Sequence, residues 1–349
     1  MAKRVGVLTG GGDCPGLNAV IRAVTRRSLD RGYEVLGVRD GWRGLVDGRF
    51  QALGYREISG ILPRGGTILG TTRTNPYKSD HGLKRALSHF DVQELTALVV
   101  IGGEDTLGVA SRLFEEEGLP VVGVPKTIDN DLSATDYTFG FDTAVWIATE
   151  AIDRLHTTAE SHNRVMVVEV MGRNTGWIAV MSGIAGGADV ILIPEQPITV
   201  EEACAELQRR HDRGKDFSIV VVSEGYELTY ASGETRRAEQ SPSASDEFGH
   251  ARLGGVGDVL AREIEERTGY ETRVTVLGHV QRGGSPTPRD RVLATRYGLK
   301  AADLVHAEEF GQMAALRGDA IVSVPLVEAV AELKKVPRDW YEVAKAFFG

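Results

Sequence analysis

The sequence predicts an α/β protein of two Rossmann-like parallel-sheet domains facing a shared active-site cleft. Three observations carry that prediction. Short runs rich in β-branched residues and leucine alternate with stretches of helical periodicity along the whole chain. Several of these runs stop on glycines or polar side chains, which is where open parallel sheets hold their ligands. The theme then repeats on both sides of about residue 140.

The most pronounced run is Leu98-Val99-Val100-Ile101, read as a strand covered on both faces, and it stops on Gly102-Gly103-Glu104-Asp105. Two glycines let the chain turn sharply where a Cβ would collide with a ligand; the two acids are equally readable as solvated charges in an ordinary turn. From the start, Arg4 to Thr9 forms a first strand that runs into Gly10-Gly11-Gly12-Asp13-Cys14-Pro15-Gly16-Leu17-Asn18. Ala19, Val20, Ala23 and Val24 then recur at helical spacing, so bare backbone N–H groups and the positive end of a helix dipole address one anion site. The spacing matches neither a Walker loop nor a dinucleotide fingerprint. Val35 to Val38 makes a second strand leading to Asp40-Gly41-Trp42-Arg43-Gly44, and Arg64 to Arg73 is a glycine-rich turn with an arginine at each end.

Val121 to Val124 is a further buried strand that ends in Pro125-Lys126-Thr127-Ile128-Asp129-Asn130-Asp131. Alternation in an extended segment puts Lys126 opposite Thr127 and Asp129, unless a turn breaks the rule. Two aspartates and a lysine there suit proton abstraction beside a metal-bound phosphate, or a plain helix cap. Phe141, Ala144, Val145, Ala148, Ile152 and Leu155 fit one face of a helix. Three more strands follow: Val165 to Val170 ending in Met171-Gly172-Arg173-Asn174-Thr175-Gly176, Val190 to Ile193 ending in Pro194-Glu195, and Ile219 to Val222 ending in Ser223-Glu224-Gly225. Tyr226 to His250 breaks the pattern, and its polar run from Glu239 to Glu247 reads as a mobile surface excursion. A helix from Val256 to Arg267 and a strand from Thr272 to Leu277 lead to Gly278-His279-Val280-Gln281-Arg282-Gly283-Gly284, where a histidine and an arginine beside glycines could grip a second phosphate. Asp339 to Phe348 closes the chain as an amphipathic helix.

Composition narrows the function. At 349 residues, with 42% hydrophobic and 26% charged residues, the chain supports two ordinary globular domains. The formal charge of -9 argues against a nucleic-acid surface, which needs a basic face, so any anionic ligand must be met by local arginines. Cys14 and Cys204 are too few for a disulfide framework and have no zinc spacing. With no signal-like start and no membrane-length apolar run, a cytoplasmic protein without a membrane partner is expected.

Taken together, Gly11 to Asn18, Gly102-Gly103-Glu104-Asp105, Pro125 to Asp131, Met171-Gly172-Arg173 and Gly278 to Gly284 resemble, in order, the motifs of the phosphofructokinase family. The resemblance spans nearly the whole chain except residues 227 to 252. It implies magnesium-dependent phosphoryl transfer to the 1-hydroxyl of fructose 6-phosphate, with Asp129 as general base and Thr127 and Asp131 beside it. Arg173 and Arg73 would steady the transferring phosphate, which Gly12 would let approach the backbone. Met171, Gly172, Glu224, His279 and Arg282 would contact the sugar, and Glu104 stands at the metal-associated position, one methylene longer than the usual aspartate. Arg164 and Arg273 match positions that reach the sugar phosphate from a neighbouring subunit, which implies a homo-oligomer, dimer or tetramer, with shared active sites. The expected division is a donor domain of residues 1–140 with 286–334 and a sugar domain of 141–285 with 335–349.

Asp105 and Lys126 bear on the donor. ATP-using members of the family generally carry glycine at the first position and often at the second, whereas pyrophosphate-using members resemble this chain. A carboxylate about 4 Å from an α-phosphate costs on the order of 4 kcal/mol at an effective dielectric near 20, about three decades in binding. Pyrophosphate is therefore the expected donor; an ATP-using enzyme and an inactive sugar-phosphate-binding regulator are the alternatives. Arg22, Arg26, Arg213 and Lys215 match part of the family's effector interface, but Tyr55, His156 and Asp189 replace two arginines and a glutamate. Regulation by ADP or phosphoenolpyruvate is expected to be weak or missing.

Overall fold

The computed structural model describes residues 3–245, 248 and 251–348. They form two compact units, one from residues 3–143 and Arg282–Leu333 together with Phe248, the other from Ala144–Ser245, Ala251–Gln281 and residues 334–348.

The first unit opens with β1 (Arg4–Thr9), α1 (Leu17–Asp30), β2 (Glu34–Val38), α2 (Trp42–Asp47), β3 (Phe50–Ala52), α3 (Asp80–Val92), β4 (Leu95–Gly102), α4 (Glu104–Glu117) and β5 (Val121–Pro125). The helix α5 (Phe141–His162) carries the boundary between the units. The second unit then supplies β6 (Val165–Val170), α6 (Trp177–Ala185), β7 (Val190–Leu192), α7 (Val200–Asp212), β8 (Ser218–Ser223), β9 (Leu228–Thr229), β10 (Thr235–Arg236), β11 (Glu239–Ser245), β12 (Ala251–Leu253), α8 (Val256–Thr268) and β13 (Thr272–Val276). The chain returns to the first unit for α9 (Pro288–His306), β14 (Gln312–Arg317), β15 (Ala320–Pro325) and α10 (Leu326–Ala329), and ends in the second with α11 (Arg338–Lys345).

The first unit holds a seven-stranded sheet in the order β15-β14-β5-β4-β1-β2-β3. Its inner pairs are parallel, while β15 and β3 close the edges antiparallel. The run Leu98 to Ile101 lies at the centre, fully buried as a strand covered on both faces must be. Register aligns Thr9 with Ile101 and Gly102 with Pro125, so the carboxyl ends of β1, β4 and β5 stop level. Close packing of α1 on α9 rests on Gly298, whose added Cβ would lie 2.8 Å from the Val20 carbonyl and from Ala23. The second unit is built on a four-stranded parallel sheet, β13-β6-β8-β7. Phe141, Ala144, Ala148 and Ile152 of the expected stripe on α5 are buried, with Val145 and Leu155 half-buried beside them.

Two expectations change. The excursion does not begin at Tyr226: Tyr226 and Leu228 are core residues of the second unit, and the Tyr226 hydroxyl donates to the Ile198 carbonyl. Apolar alternation over Tyr226, Leu228 and Tyr230 outweighs the glycine before it. Beyond it the backbone forms two short antiparallel pairs, β9 with β10 and β11 with β12. The rest of the expected excursion, at residues 246, 247, 249 and 250, lies outside the described residues. The closing helix is shorter than expected, Arg338–Lys345, with Tyr341 and Ala344 turned inward. No described helix is long and apolar enough to cross a membrane.

Candidate active site

Because β1, β4 and β5 stop level, three loops meet at one edge of the first unit's sheet. The Gly10 N–H donates to the Ile101 carbonyl at 3.0 Å, and the Lys126 N–H to the Gly102 carbonyl at 2.9 Å. Thr106, in the first turn of α4, is the wedge between them: a Cβ on Gly10 would lie 2.6 Å from its methyl group, and one on Gly102 2.3 Å from its Cβ. Both glycines are therefore dictated by close approach. Gly16, at φ 113°, then turns the chain into α1 with no side chain capping that helix end.

The Lys126 side chain is buried, and its ammonium donates to the Gly12 carbonyl at 2.5 Å. Burial pulls its pKa down, opposed by Cys14 and with Arg282 lowering it further. Arg282 donates to the Asp13 carbonyl at 3.3 Å, and a Cβ on Gly12 would lie 2.6 Å from its guanidinium. Arg282, one of the expected sugar contacts, opens the last segment of the first unit, and its guanidinium lies on that unit's glycine loop. Cys14 is fully buried and its thiol is pushed up to about 12, so it is no nucleophile.

Past Lys126 the chain turns, so the alternation of an extended strand does not carry on through Asp129 and Asn130. The Asp129 N–H donates to the Thr127 hydroxyl at 3.0 Å, and Asn130 takes a left-handed conformation at φ 52°. Its side-chain oxygen accepts from the Thr138 N–H at 3.0 Å, while the Thr138 hydroxyl donates to the Thr127 carbonyl at 2.7 Å. The loop is thus fastened internally. Burial pushes the Asp131 carboxyl up to about 7, and the charges of Asp129 and Glu104 push in the same direction. Three acidic side chains therefore sense one another at this edge.

Glu104 and Asp105 occupy the first turn of α4, where the dipole favours negative charge. Both line a cavity of about 240 Å³ with Asn75, Gly108, Arg112, Phe248 and Val330 among its walls. A Cβ on Gly108 would meet nothing within 4 Å. Asp105 is therefore part of the wall of a cavity that has open space beside Gly108. Arg73 is exposed at the end of the glycine-rich turn. Asn18, which the sequence offered only as part of a motif, pins that turn: its amide donates to the Arg64 carbonyl at 3.0 Å and its oxygen accepts from the Ile68 N–H at 2.8 Å.

The second unit carries the remaining expected residues at two places. At the carboxyl end of β6, Gly172 has φ 135° and its carbonyl accepts from the Ser223 hydroxyl at 2.6 Å and the Gly225 N–H at 3.1 Å. This locks the loop bearing Arg173 to the end of β8, which bears Glu224. The Met171 N–H donates to Gln281 at 3.3 Å, fixing the turn on which His279 stands exposed. Arg164 and Arg273 lie elsewhere. Both bracket Glu271, Arg164 at 2.7 Å, at the amino-terminal end of β6 and β13. Six strand residues, about 20 Å, separate that end from Arg173.

Backbone-rich loops, a buried lysine and clustered carboxylates at the carboxyl ends of parallel strands define an α/β protein built to handle phosphate-type anions. The chain matches the phosphofructokinase family over residues 4–305. It is 60% identical over 347 residues to a pyrophosphate–fructose 6-phosphate 1-phosphotransferase of Streptomyces coelicolor, covering 99% of this chain and 100% of that one. It is also 53% identical over 346 residues to ATP-dependent 6-phosphofructokinase 2 of the same organism, with 99% and 100% covered. Among solved structures it resembles Pichia pastoris phosphofructokinase in the T-state, with a TM-score of 0.83 and 33% identity over 99% of this chain; it spans only 36% of that longer chain. The chain belongs to the phosphofructokinase family.

Proposed function

We propose that this protein transfers a phosphoryl group from pyrophosphate to the 1-hydroxyl of fructose 6-phosphate, giving fructose 1,6-bisphosphate and phosphate. The observation that carries the donor assignment is the presence together of Asp105, lining the cavity, and Lys126, whose ammonium bonds the glycine loop. Its relatives named for pyrophosphate and for ATP are both near, so the donor has to be argued from these two positions. A nucleotide tail leaving the loop would run past the Asp105 carboxylate, whereas pyrophosphate ends before it and meets the Lys126 cation instead.

In this reading the first unit binds the donor through Gly12, Arg73, Asp105 and Lys126. Asp129 accepts the proton of the 1-hydroxyl as the new P–O bond forms, Thr127 holds the Asp129 backbone in place, and Asp131 adds a sugar contact. Arg173 and Arg73 offset charge on the transferring phosphate, and the second unit holds the sugar through Met171, Gly172, Glu224 and His279. Arg282 is a further sugar contact in this reading. Positioning and charge stabilisation supply most of the acceleration in such a transfer.

The donor chemistry at this edge fits magnesium. The acidic groups, Glu104 and Asp105 in the first turn of α4, are hard oxygen ligands. Magnesium characteristically takes one or two carboxylates and completes its shell with phosphate oxygens and water. Glu104 would hold the ion, which would neutralise pyrophosphate charge when bound. Arg164 and Arg273, remote from Arg173 on their own sheet, serve a neighbouring copy in a homo-oligomer. Assays with pyrophosphate and with ATP, run separately on the same preparation, test the donor. Turnover on pyrophosphate with little on ATP is expected; the reverse assigns an ATP-dependent enzyme, and activity with neither leaves a sugar-phosphate-binding regulator.

A further inference from the structure

The loop that carries Arg173 is held at both ends, and the second holder is a residue outside every motif used so far. At its near end the Gly172 carbonyl is bonded to Ser223 and Gly225. At its far end Gly176 begins α6 with no side chain of its own capping the helix. The Glu195 carboxylate, delivered by the end of β7, supplies the missing charge: the Gly176 N–H donates to both of its oxygens at 3.0 Å. A Cβ on Gly176 would lie 2.3 Å from Ile193, so the backbone reaches the carboxylate only because residue 176 is glycine. The same carboxylate accepts from the Val336 N–H at 3.1 Å. One position further, the Trp177 indole donates to the Lys334 carbonyl at 2.9 Å. Burial raises the Glu195 pKa while these backbone N–H groups lower it, as expected for a partly desolvated carboxylate retained for its hydrogen bonds.

We propose that Glu195 is a positioning residue for Arg173: it fixes the far end of the Gly172–Gly176 loop and ties it to the segment 334–336. The inference rests on the reading of Arg173 as the cation that steadies the transferring phosphate. A group whose role is confined to the transition state shows up in kcat at constant KM, and a small displacement is enough to weaken it strongly.

The test is a double-mutant cycle on the full-length enzyme between Glu195→Gln and Arg173→Lys, with rates normalised to folded protein by thermal unfolding and circular dichroism. In the otherwise native enzyme Glu195→Gln is expected to lower kcat by about tenfold or more with both substrate KM values within about twofold, and Glu195→Asp to recover part of the loss. In the Arg173→Lys background the same change is expected to cost less than about twofold, because its target is already impaired. Undiminished kcat in Glu195→Gln, a loss confined to sugar KM, or full additivity with Arg173→Lys would overturn the proposal; where Glu195→Gln does not fold, Glu195→Asp carries the same cycle. Failure of the native enzyme to turn over with either donor would count against the assigned function instead.

Discussion

The Lys126 ammonium lies 2.5 Å from the Gly12 carbonyl oxygen, in the interior of the first unit. A cation that deep is tolerated because the carbonyl and nearby carboxylates compensate it, and the bond orients the Gly12–Asp13 peptide. Lys126→Met keeps the length and deletes the charge. It is expected to raise the KM for pyrophosphate by about tenfold or more, one charged hydrogen bond's worth, with the KM for fructose 6-phosphate unchanged. Steady-state kinetics with each substrate varied in turn decide this, and a change confined to the sugar would remove Lys126 from the donor site.

The contact between β8 and the Arg173 loop is tighter still. A Cβ on Gly225 would lie 1.8 Å from the Arg173 carbonyl oxygen, a backbone atom that cannot step aside. Gly225→Ala is expected to lower kcat by about a hundredfold, since a shift near 1 Å at a charge-stabilising group costs that much. Glycine at 225 is part of the Ser-Glu-Gly ending legible in the sequence, but its partner across the sheet is not.

Tyr55, His156 and Asp189, expected in place of the family's effector contacts, each bond within the chain. Asp189 pairs with Arg210 at 2.8 Å and accepts from the Ile219 N–H at 2.8 Å; His156 bonds the Gly186 carbonyl at 2.6 Å, and Tyr55 donates to Asp30 at 2.6 Å. Hyperbolic saturation by fructose 6-phosphate, unmoved by ADP or phosphoenolpyruvate, is expected. Sigmoidal kinetics relieved by either effector would contradict it.

Asp290 makes stability depend on pH. It is fully buried at the start of α9, accepting from the Thr143 hydroxyl at 2.6 Å and N–H at 2.9 Å, and burial raises its pKa to about 6. The folded state therefore binds this proton more tightly than the unfolded chain does. The contribution is fully present below about pH 4 and is lost as pH rises through about 6, on the order of 3 kcal/mol in all. Denaturant unfolding across that window is expected to show the decline in the native protein, and Asp290→Asn to flatten it whatever its baseline stability. An identical slope in both would contradict the assignment.

Much of this was legible in advance. Strands such as Arg4–Thr9 and Val165–Val170 announce themselves because parallel strands buried on both faces are nearly continuous apolar runs. The hairpin β14–β15 and the helix α9 carry signals the sequence reading did not use: a two-residue Gly318-Asp319 turn between apolar runs, and Thr287 capping α9 with Pro288 in its first turn. What no local pattern contains is contact between distant segments. Thr106 between Gly10 and Gly102, Glu195 at Gly176, and Arg282 on the glycine loop depend on register and packing. The same holds for the space beside Asp105. A carboxylate in place of glycine brings both bulk and charge to the cavity that Asp105 lines, and substitution can tell the two apart.

That distinction is the account's centre, and one comparison addresses it most directly: kcat/KM for ATP and for pyrophosphate in Asp105→Asn beside Asp105→Gly. Asparagine keeps the volume and removes the charge. The account predicts that Asp105→Asn raises kcat/KM for ATP by at least about tenfold, approaching the glycine variant, within the roughly three decades that one close charge pair can impose. An asparagine variant with unchanged donor preference, with only glycine admitting ATP, would contradict it.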